Sequence, residues 1–217
     1  AAVAAAYLAW PRINDVTTDL ATPPRFAALA KQRTDGANPA VYPAARFAAQ
    51  QQKSYPDLQT FPLERSVEEA FELVEEVVRK LRWKIVAADP PVGRAARGGM
   101  LEATDQTMVI GFTDDIVIRV EGNINRARID VRSASRYGEA DLGQNATRVR
   151  RFLAELQVRA DATTPTIVGG RRLRTTRSGA MVKRTKGRDR QKAESRSARD
   201  RAQSSAQRGQ GQKETQR

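Results

Sequence analysis

The stretch from Phe112 to Arg151 decides the fold of this chain; it reads FTDDIVIRVEGNINRARIDVRSASRYGEADLGQNATRVRR. Side chains alternate between two faces within residues 116–121 and again within residues 129–134, the period-two pattern of a half-buried strand. Glycine and asparagine between the two runs supply a turn, so the runs predict neighbouring antiparallel strands. A helix is predicted to begin near Asp141, whose carboxylate can cap it.

Upstream of this stretch, the sequence predicts another helix and further strands. Ser66 to Glu69 fits a capping box, and apolar residues recur at three- and four-residue steps from Val67 to Leu81, as on a helix with one buried face. Strand-like runs follow at residues 83–88, 100–104 and 107–112. This order of elements predicts an α+β fold, a two-layer sandwich in which an antiparallel sheet carries two helices on one face.

The amino end consists of a short apolar run and a connector. Residues 1–10 are apolar but too few to span a bilayer, which needs about 20 residues. We interpret them as the end of a membrane segment, with Tyr7 and Trp10 at the headgroup level; a short buried helix and a signal-peptide remnant are the alternatives. Residues 11–60 carry many turn signals and are interpreted as an extended connector along the folded body, with a helical stretch from Ala44 to Gln52.

The carboxyl end predicts a disordered basic tail. Residues 169–217 hold 16 of the 38 Lys and Arg residues and only 4 acidic residues, so this segment carries most of the net charge of +13. Residues 163–217 have few large apolar side chains and are predicted to be disordered, which leaves residues 61–162 as the folded domain. The tail is interpreted either as solvated without a partner or as an arm for anionic lipid. Nucleic acid is disfavoured because no aromatic residue follows Phe152 to stack on bases.

The composition excludes several kinds of chemistry. The chain has no Cys and no His, which rules out disulfides, thiolate nucleophiles, Ser–His pairs and zinc sites made from those ligands. Acid–base work by carboxylates and metal binding through oxygen ligands remain open. We predict no cofactor, and we favour a protein that is not an enzyme.

Five motifs occur in order within residues 11–156: INDVTTDLATPP (Ile13–Pro24), GANPAVY (Gly36–Tyr42), SYPDL (Ser54–Leu58), FTDDIVIRV (Phe112–Val120) and RSASRYGEADLGQNATRV (Arg132–Val149). Together they resemble the bacterial and plastid family known as domain of unknown function 1499. The resemblance implies a fold and a set of polar residues, but no reaction, because the family has no agreed activity. Many members carry hydrophobic segments before the first motif, so the resemblance also favours membrane association.

The candidate site is a polar patch at the junction between the sheet and the last helix. Forked guanidinium groups together with the free N–H groups at a helix start suit a phosphate, a carboxylate or an acidic partner. The other interpretation of these side chains, which we favour, is an internal network of Arg and Asp that locks the last helix onto the sheet. The residues proposed for anion or partner binding are Arg119, Arg132, Ser133, Ser135, Arg136, Asp141, Asn145 and Arg148. The alternation of the two strands places Arg119, Asp130 and Arg132 on one polar face.

Two adjacent carboxylates, Asp114 and Asp115, admit two interpretations. As chemistry, they can hold Mg²⁺ or Ca²⁺, or one of them can act as a general base. As structure, they pair with Arg119, Arg132 or Arg136. We favour structure and assign no metal site, because a metal needs more oxygen ligands than two neighbouring acids provide.

The sequence therefore predicts a membrane-anchored, non-enzymatic binding domain whose polar patch receives a partner protein or a small anion. Localisation at a membrane rests on the amino-terminal run and on the family resemblance. Two alternatives remain from other classes: a metal-assisted hydrolase that uses Asp114 and Asp115 with Arg136 as electrophile, and a nucleic-acid binder that acts through the tail.

Overall fold

The structure is a computed structural model that describes residues 10–92, 97–106 and 113–163, and the backbone of residues 166–168 and 171–173. The chain divides into two compact units, Ala1–Thr163 and Thr164–Arg217. In chain order the elements are β1 (Asp15–Thr17), a 3-10 helix (Ala30–Gln32), α1 (Ala44–Ser54), β2 (Phe61–Leu63), α2 (Val67–Lys80), β3 (Lys84–Asp89), β4 (Gly98–Gln106), β5 (Thr113–Gly122), β6 (Ala127–Ser135), α3 (Gln144–Ala162), β7 (Thr166–Val168) and β8 (Arg171–Leu173).

The first unit is built on an antiparallel six-stranded sheet. Its strand order is β1-β6-β5-β4-β3, and β2 pairs with the other half of β6. The central pairing joins β5 to β6, with Arg119 opposite Asp130 and Asp115 opposite Ala134. In the second unit β7 and β8 pair as a two-stranded antiparallel sheet.

Helices α2 and α3 pack on one face of the sheet. The Ser66 hydroxyl accepts a hydrogen bond from the Glu69 N–H and caps α2, as the capping box predicts. Apolar side chains of both helices belong to one buried cluster with the even-numbered residues of β5, such as Ile116 and Ile118, which are fully buried. Trp83 stacks on Phe152 of α3 with 5.7 Å between ring centroids, so the segment between α2 and β3 also contacts α3.

The connector covers the opposite face of the sheet. Phe26 and Leu29 from the connector pack against Val117 of β5 and Ala134 of β6 in a second, smaller apolar cluster. Alternation along a strand sends Val117 to the face opposite Ile116, so the sheet is covered on both faces where β5 and β6 pair.

Helix α1 closes the β1 edge of the sheet. The side-chain amide of Gln51 accepts a hydrogen bond from the Thr17 N–H at 3.0 Å and donates one to the Thr17 carbonyl at 2.6 Å. The Gln51 amide thus satisfies the backbone N–H and carbonyl of Thr17, as a neighbouring strand would. Gln51 is 1% exposed. The connector thus supplies β1, α1 and part of the core.

The predicted α+β class with an antiparallel sheet is confirmed, with α1 as a third helix where only a helical stretch was predicted. The strand predicted at residues 107–112, the apolar run before Trp10 and most of the predicted disordered tail lie outside the described residues. Among the helices that the structure describes, none combines the length and the apolar character that crossing a bilayer demands.

Candidate functional site

The predicted site residues lie on both sides of the sheet. Asp114, Ser133 and Ser135 face α3, whereas Asp115 and Arg132 face the connector, because neighbouring residues of a strand point in opposite directions. The single predicted patch is therefore two networks with the sheet between them.

On the connector side lies Arg132, which is 1% exposed and is the largest fully buried side chain among the residues that the structure describes. Its Nε and Nη2 donate to both carboxylate oxygens of Asp15 at 2.9 and 2.7 Å, and its remaining hydrogen bonds go to the carbonyls of Pro24 and Ala40. The guanidinium also lies 4.6 Å from the centre of the Phe26 ring. Burial raises the pKa of Asp15 above its ordinary value, and the bidentate Arg132 opposes that rise.

Asp115 joins two arginines on the same side. Arg33 Nε donates to one carboxylate oxygen at 3.0 Å and Arg136 Nε to the other at 2.8 Å. Arg33 also donates to the carbonyls of Asn38 and Pro39, so it joins two parts of the connector loop to the start of β5. Burial raises the pKa of Asp115, and the two guanidinium groups counteract it.

On the helix side, Arg148 of α3 is the central donor of the polar network. It donates to Asp114 at 2.6 Å, to Asp105 at 2.9 Å, to Ser133 at 3.2 Å and to the Asn145 side-chain oxygen at 2.7 Å. These acceptors engage four of the five N–H donors of the guanidinium group. The network attaches α3 to the adjoining ends of β4, β5 and β6.

Asn145 and Asp141 fix the start of α3. The Asn145 amide donates to the Ser135 hydroxyl at 2.9 Å and to the Asn14 carbonyl at 3.1 Å. The Asp141 carboxylate accepts from the N–H groups of Gly143 and Asn145, which confirms the predicted capping role. Burial raises the pKa of Asp141, and these two N–H donors oppose the rise.

Arg119 and Asp130 form the pair that the strand alternation predicts. Arg119 Nη2 donates to Asp130 at 3.0 Å and to Asp19 of the connector at 2.8 Å. Asp130 also accepts from the hydroxyls of Thr18 and Thr60, so the start and the end of the connector meet the same carboxylate.

Glu102 of β4 is a polar residue of this face that the sequence analysis missed. It is 4% exposed, and its carboxylate accepts hydrogen bonds from the backbone N–H groups of Ala27, Ala28 and Leu29 at 2.7 to 2.9 Å. The available signal was an acid within an apolar strand, but nothing local indicates that a segment far away in the sequence supplies the donors.

The two candidate metal ligands diverge. Asp114 points to Arg148 on the helix side, and Asp115 points to Arg33 and Arg136 on the connector side. Within residues 10–92, 97–106 and 113–163, no group of three acidic side chains is arranged to hold a metal ion. The two carboxylates therefore have the geometry of separate structural ion pairs.

A small cavity of about 60 Å³ lies where β6 ends against the connector. Its lining includes Asn14, Asp15, Arg33, Asn38 and Arg46. A volume of this size corresponds to roughly two water molecules, so the cavity suits a small ion or water and not a substrate of metabolite size.

Asp19 gives the network a pH dependence. Burial acts against its ionisation, but hydrogen bonds from Thr22, Ala21 and Arg119 together lower the pKa of Asp19 to about 2 from 3.8. A lowered folded-state pKa contributes stability above the unfolded value that is lost as the pH falls toward the folded value. The Asp19→Asn variant should therefore be destabilised by roughly 1 kcal/mol at neutral pH, allowing for solvent screening, and this difference should shrink between pH 4 and pH 2.

Urea unfolding of both proteins at a series of pH values measures this difference directly. The buried acids with raised pKa values are common to both proteins and cancel in the comparison. A difference that stays constant down to pH 2 would show that Asp19 is not ionised in the way its hydrogen bonds require.

The fold and the site define a class of protein: an α+β domain in which an antiparallel sheet is held between helices and an amino-terminal connector by two buried Arg/Asp networks. A family model described as protein of unknown function (DUF1499) matches residues 15–156, and the chain belongs to this family. The match confirms the resemblance seen in the motifs.

Other comparisons add little. No curated protein matches the chain. Among solved structures, the chain is similar to the vertebrate conserved region of human METTL16, with 16% sequence identity and a TM-score of 0.28, over 45% of this chain and 94% of that chain. A similarity at this TM-score supports no conclusion about fold or function.

Proposed function

We propose that this protein is a non-enzymatic domain held at a membrane surface, where it binds a partner protein or a small anion. The observation that carries the proposal is an apolar corner, which we define as Trp10 and Leu142, where the Trp10 ring lies against Gly143, the residue after Leu142. The two side chains are 44% and 42% exposed. Trp10 is the last residue of the apolar amino-terminal run in the sequence. Tryptophan side chains favour the headgroup region of a membrane, so this position suits a membrane contact.

Trp10 packs against Gly143 in this corner. Its ring lies so close to Gly143 that a Cβ atom on that residue would overlap it. Gly143 is also in the left-handed region with φ 79°, so two constraints favour glycine at this position. A glycine directly before α3 therefore leaves room for the Trp10 ring.

Leu142 supports an exposed apolar contact. It adopts φ 53°, a conformation that costs a branched apolar residue free energy, and it places its side chain partly in solvent. Neither feature benefits the isolated fold. Insertion of the side chain into the headgroup layer would offset both costs.

The internal bonding of the patch favours binding over catalysis. Asp15, Asp114 and Asp115 each accept hydrogen bonds from an arginine, and Asp141 caps α3. A general base requires an acceptor within reach of the proton it removes, and these carboxylates are directed at guanidinium or backbone donors. The divergence of Asp114 from Asp115 weighs against the metal-assisted hydrolase.

The surface for a partner or an anion is the exposed margin of the patch. Arg46 lines the small cavity, is exposed, and lies 5.0 Å from the centre of the Phe47 ring. Arg33 lines the same cavity and shares Asp115 with Arg136. Two guanidinium groups on one carboxylate leave local positive charge, which suits an anionic headgroup, a small anion or an acidic segment of a partner. Contact between the basic tail and anionic lipid belongs to the same proposal.

Trp10 fluorescence tests the proposal. The chain contains two tryptophans, and Trp83 is buried and 5% exposed, so a change in emission on adding vesicles reports on Trp10. We expect a blue shift with phosphatidylcholine vesicles, which lack the net charge that would recruit the basic tail. The Leu142→Asn variant should bind several-fold more weakly, because asparagine tolerates φ 53° but lacks the apolar side chain.

Val158→Asn is the matched control. Val158 is 60% exposed on α3, roughly 20 Å along the helix from its start, so this variant loses apolar surface at a distance from the corner. An unchanged emission in wild type, or equal losses in both variants, would rule out the corner as the membrane contact.

A further inference from the structure

The strand β3 forms an open edge of the six-stranded sheet. Among the strands that the structure describes, β3 pairs with β4 alone, whereas the opposite edge is closed by β1, β2 and α1. Its sequence from Lys84 to Asp89 is KIVAAD, with a charged residue at each end and four apolar residues between them. Lys84, Ala88 and Asp89 are exposed, and the middle of the strand is partly exposed. An edge of this kind presents unpaired backbone groups to another strand.

We propose that β3 is a self-complementary edge through which two copies of this chain join into one continuous antiparallel sheet. The inference is independent of the membrane proposal. In a two-fold arrangement the strand pairs with its own copy, so any contact from Lys84 to Asp89 occurs twice. Pairing centred between Val86 and Ala87 sets Lys84 of each copy opposite Asp89 of the other.

A β-bulge makes this pairing geometrically allowed. Directly opposed residues must lie on the same face of a sheet, and two residues five positions apart in a regular strand lie on opposite faces. In β3 the register shifts between Ile85 and Ala87, so that Lys84 is opposite Thr104 and Asp89 is opposite Met100. Thr104 and Met100 are separated by an even number of positions in β4, which puts Lys84 and Asp89 on one face. The bulge lies at the centre of the strand, where the two-fold axis would pass.

The ends of the strand favour the same register. None of the ion pairs found within residues 10–92, 97–106 and 113–163 involves Lys84 or Asp89, so both charges are available to a second copy. Pro90 and Pro91 follow directly and have no backbone N–H, which stops the ladder from extending past Asp89. A register shifted toward Pro90 would lose backbone hydrogen bonds, and it would no longer place Lys84 opposite Asp89.

Charge reversal tests the proposal on the full chain. Sedimentation velocity at low salt over a concentration series should show a reversible monomer–dimer equilibrium for the wild type. Lys84→Asp and Asp89→Lys should each raise the dimer dissociation constant roughly tenfold, because each creates two like-charge contacts. An equimolar mixture of the two variants should associate at least as well as wild type, because every facing pair in the mixed dimer is then of opposite charge.

The controls make the same charge changes elsewhere. Lys53→Asp on α1 and Asp35→Lys in the connector alter exposed residues, and their dissociation constants should stay within about threefold of wild type. Circular dichroism confirms that each variant is folded. A wild type that remains monomeric at every concentration would overturn the proposal and would mean that the lysine and the bulge protect the edge from pairing. A dimer that ignores the charge reversals, or a mixture that gains nothing over the single variants, would also overturn it.

Discussion

Replacing Arg132 by methionine should lower the free energy of unfolding by about 3–5 kcal/mol, because the change leaves a buried carboxylate without its charge partner. Asp15 is 3% exposed, and both its oxygens accept hydrogen bonds from Arg132. The same substitution leaves the carbonyls of Pro24 and Ala40 without their donor. Urea unfolding followed by circular dichroism measures the loss as a shift of the midpoint.

Two further variants separate the ion pair from general disturbance. The double variant Asp15→Asn with Arg132→Met should recover part of the stability lost in the single variant, because the unpaired charge is removed with its partner. Arg12→Met removes an arginine that is 74% exposed in its pair with Glu139 and should cost at most about 1 kcal/mol. An Arg132 variant as stable as the Arg12 variant would contradict a buried, structural role for the pair.

The Asp115→Asn variant should lose about 3 kcal/mol of stability, because one carboxylate neutralises two arginines whose side chains are 6% and 16% exposed. The asparagine side chain keeps one acceptor and directs an NH₂ group at a guanidinium donor. Arg33 and Arg136 then share a single uncharged oxygen. The free energy of unfolding is again the quantity to measure.

This variant also discriminates the structural interpretation of Asp115 from the catalytic one. If Asp115 is structural, the variant should lose stability. It should still bind vesicles at a temperature where it remains folded. Asp35→Asn, at an exposed position of the connector, serves as the control and should change stability by less than about 0.5 kcal/mol. Unchanged stability in Asp115→Asn would show that its two arginines do not depend on it and would reopen the case for chemistry at this carboxylate.

The elements with a local signal were predicted well. The alternation of residues 116–121 and 129–134 led to β5 and β6 with Arg119 and Asp130 on the same face, and the capping box led to the start of α2. The start of α3 also followed from the sequence, because a carboxylate that caps a helix acts on N–H groups only a few residues away. Each of these inferences rests on a repeat or a contact within one element.

The partners of the charged residues were predicted only in part. Asp115 was expected to pair with an arginine such as Arg136, and it does. Its second partner, Arg33, and the partner of Arg132, Asp15, come from the connector, which carries no regular period. The path of such a segment depends on where its aromatic and apolar side chains find a surface to cover, which is a property of the assembled sheet.

The sequence by itself determined the class of fold, the positions of the three α-helices and of β3 to β6, the family and the absence of Cys and His chemistry, because these depend on composition, on local period and on motifs in order. Only the tertiary structure decided that the polar patch is two networks on opposite faces of a sheet. Asp15 and Arg132 are 117 positions apart, and Glu102 receives N–H groups from more than 70 positions away. Contacts at such separations are set by strand register and by the course of the connector, and neither leaves a local trace in the chain.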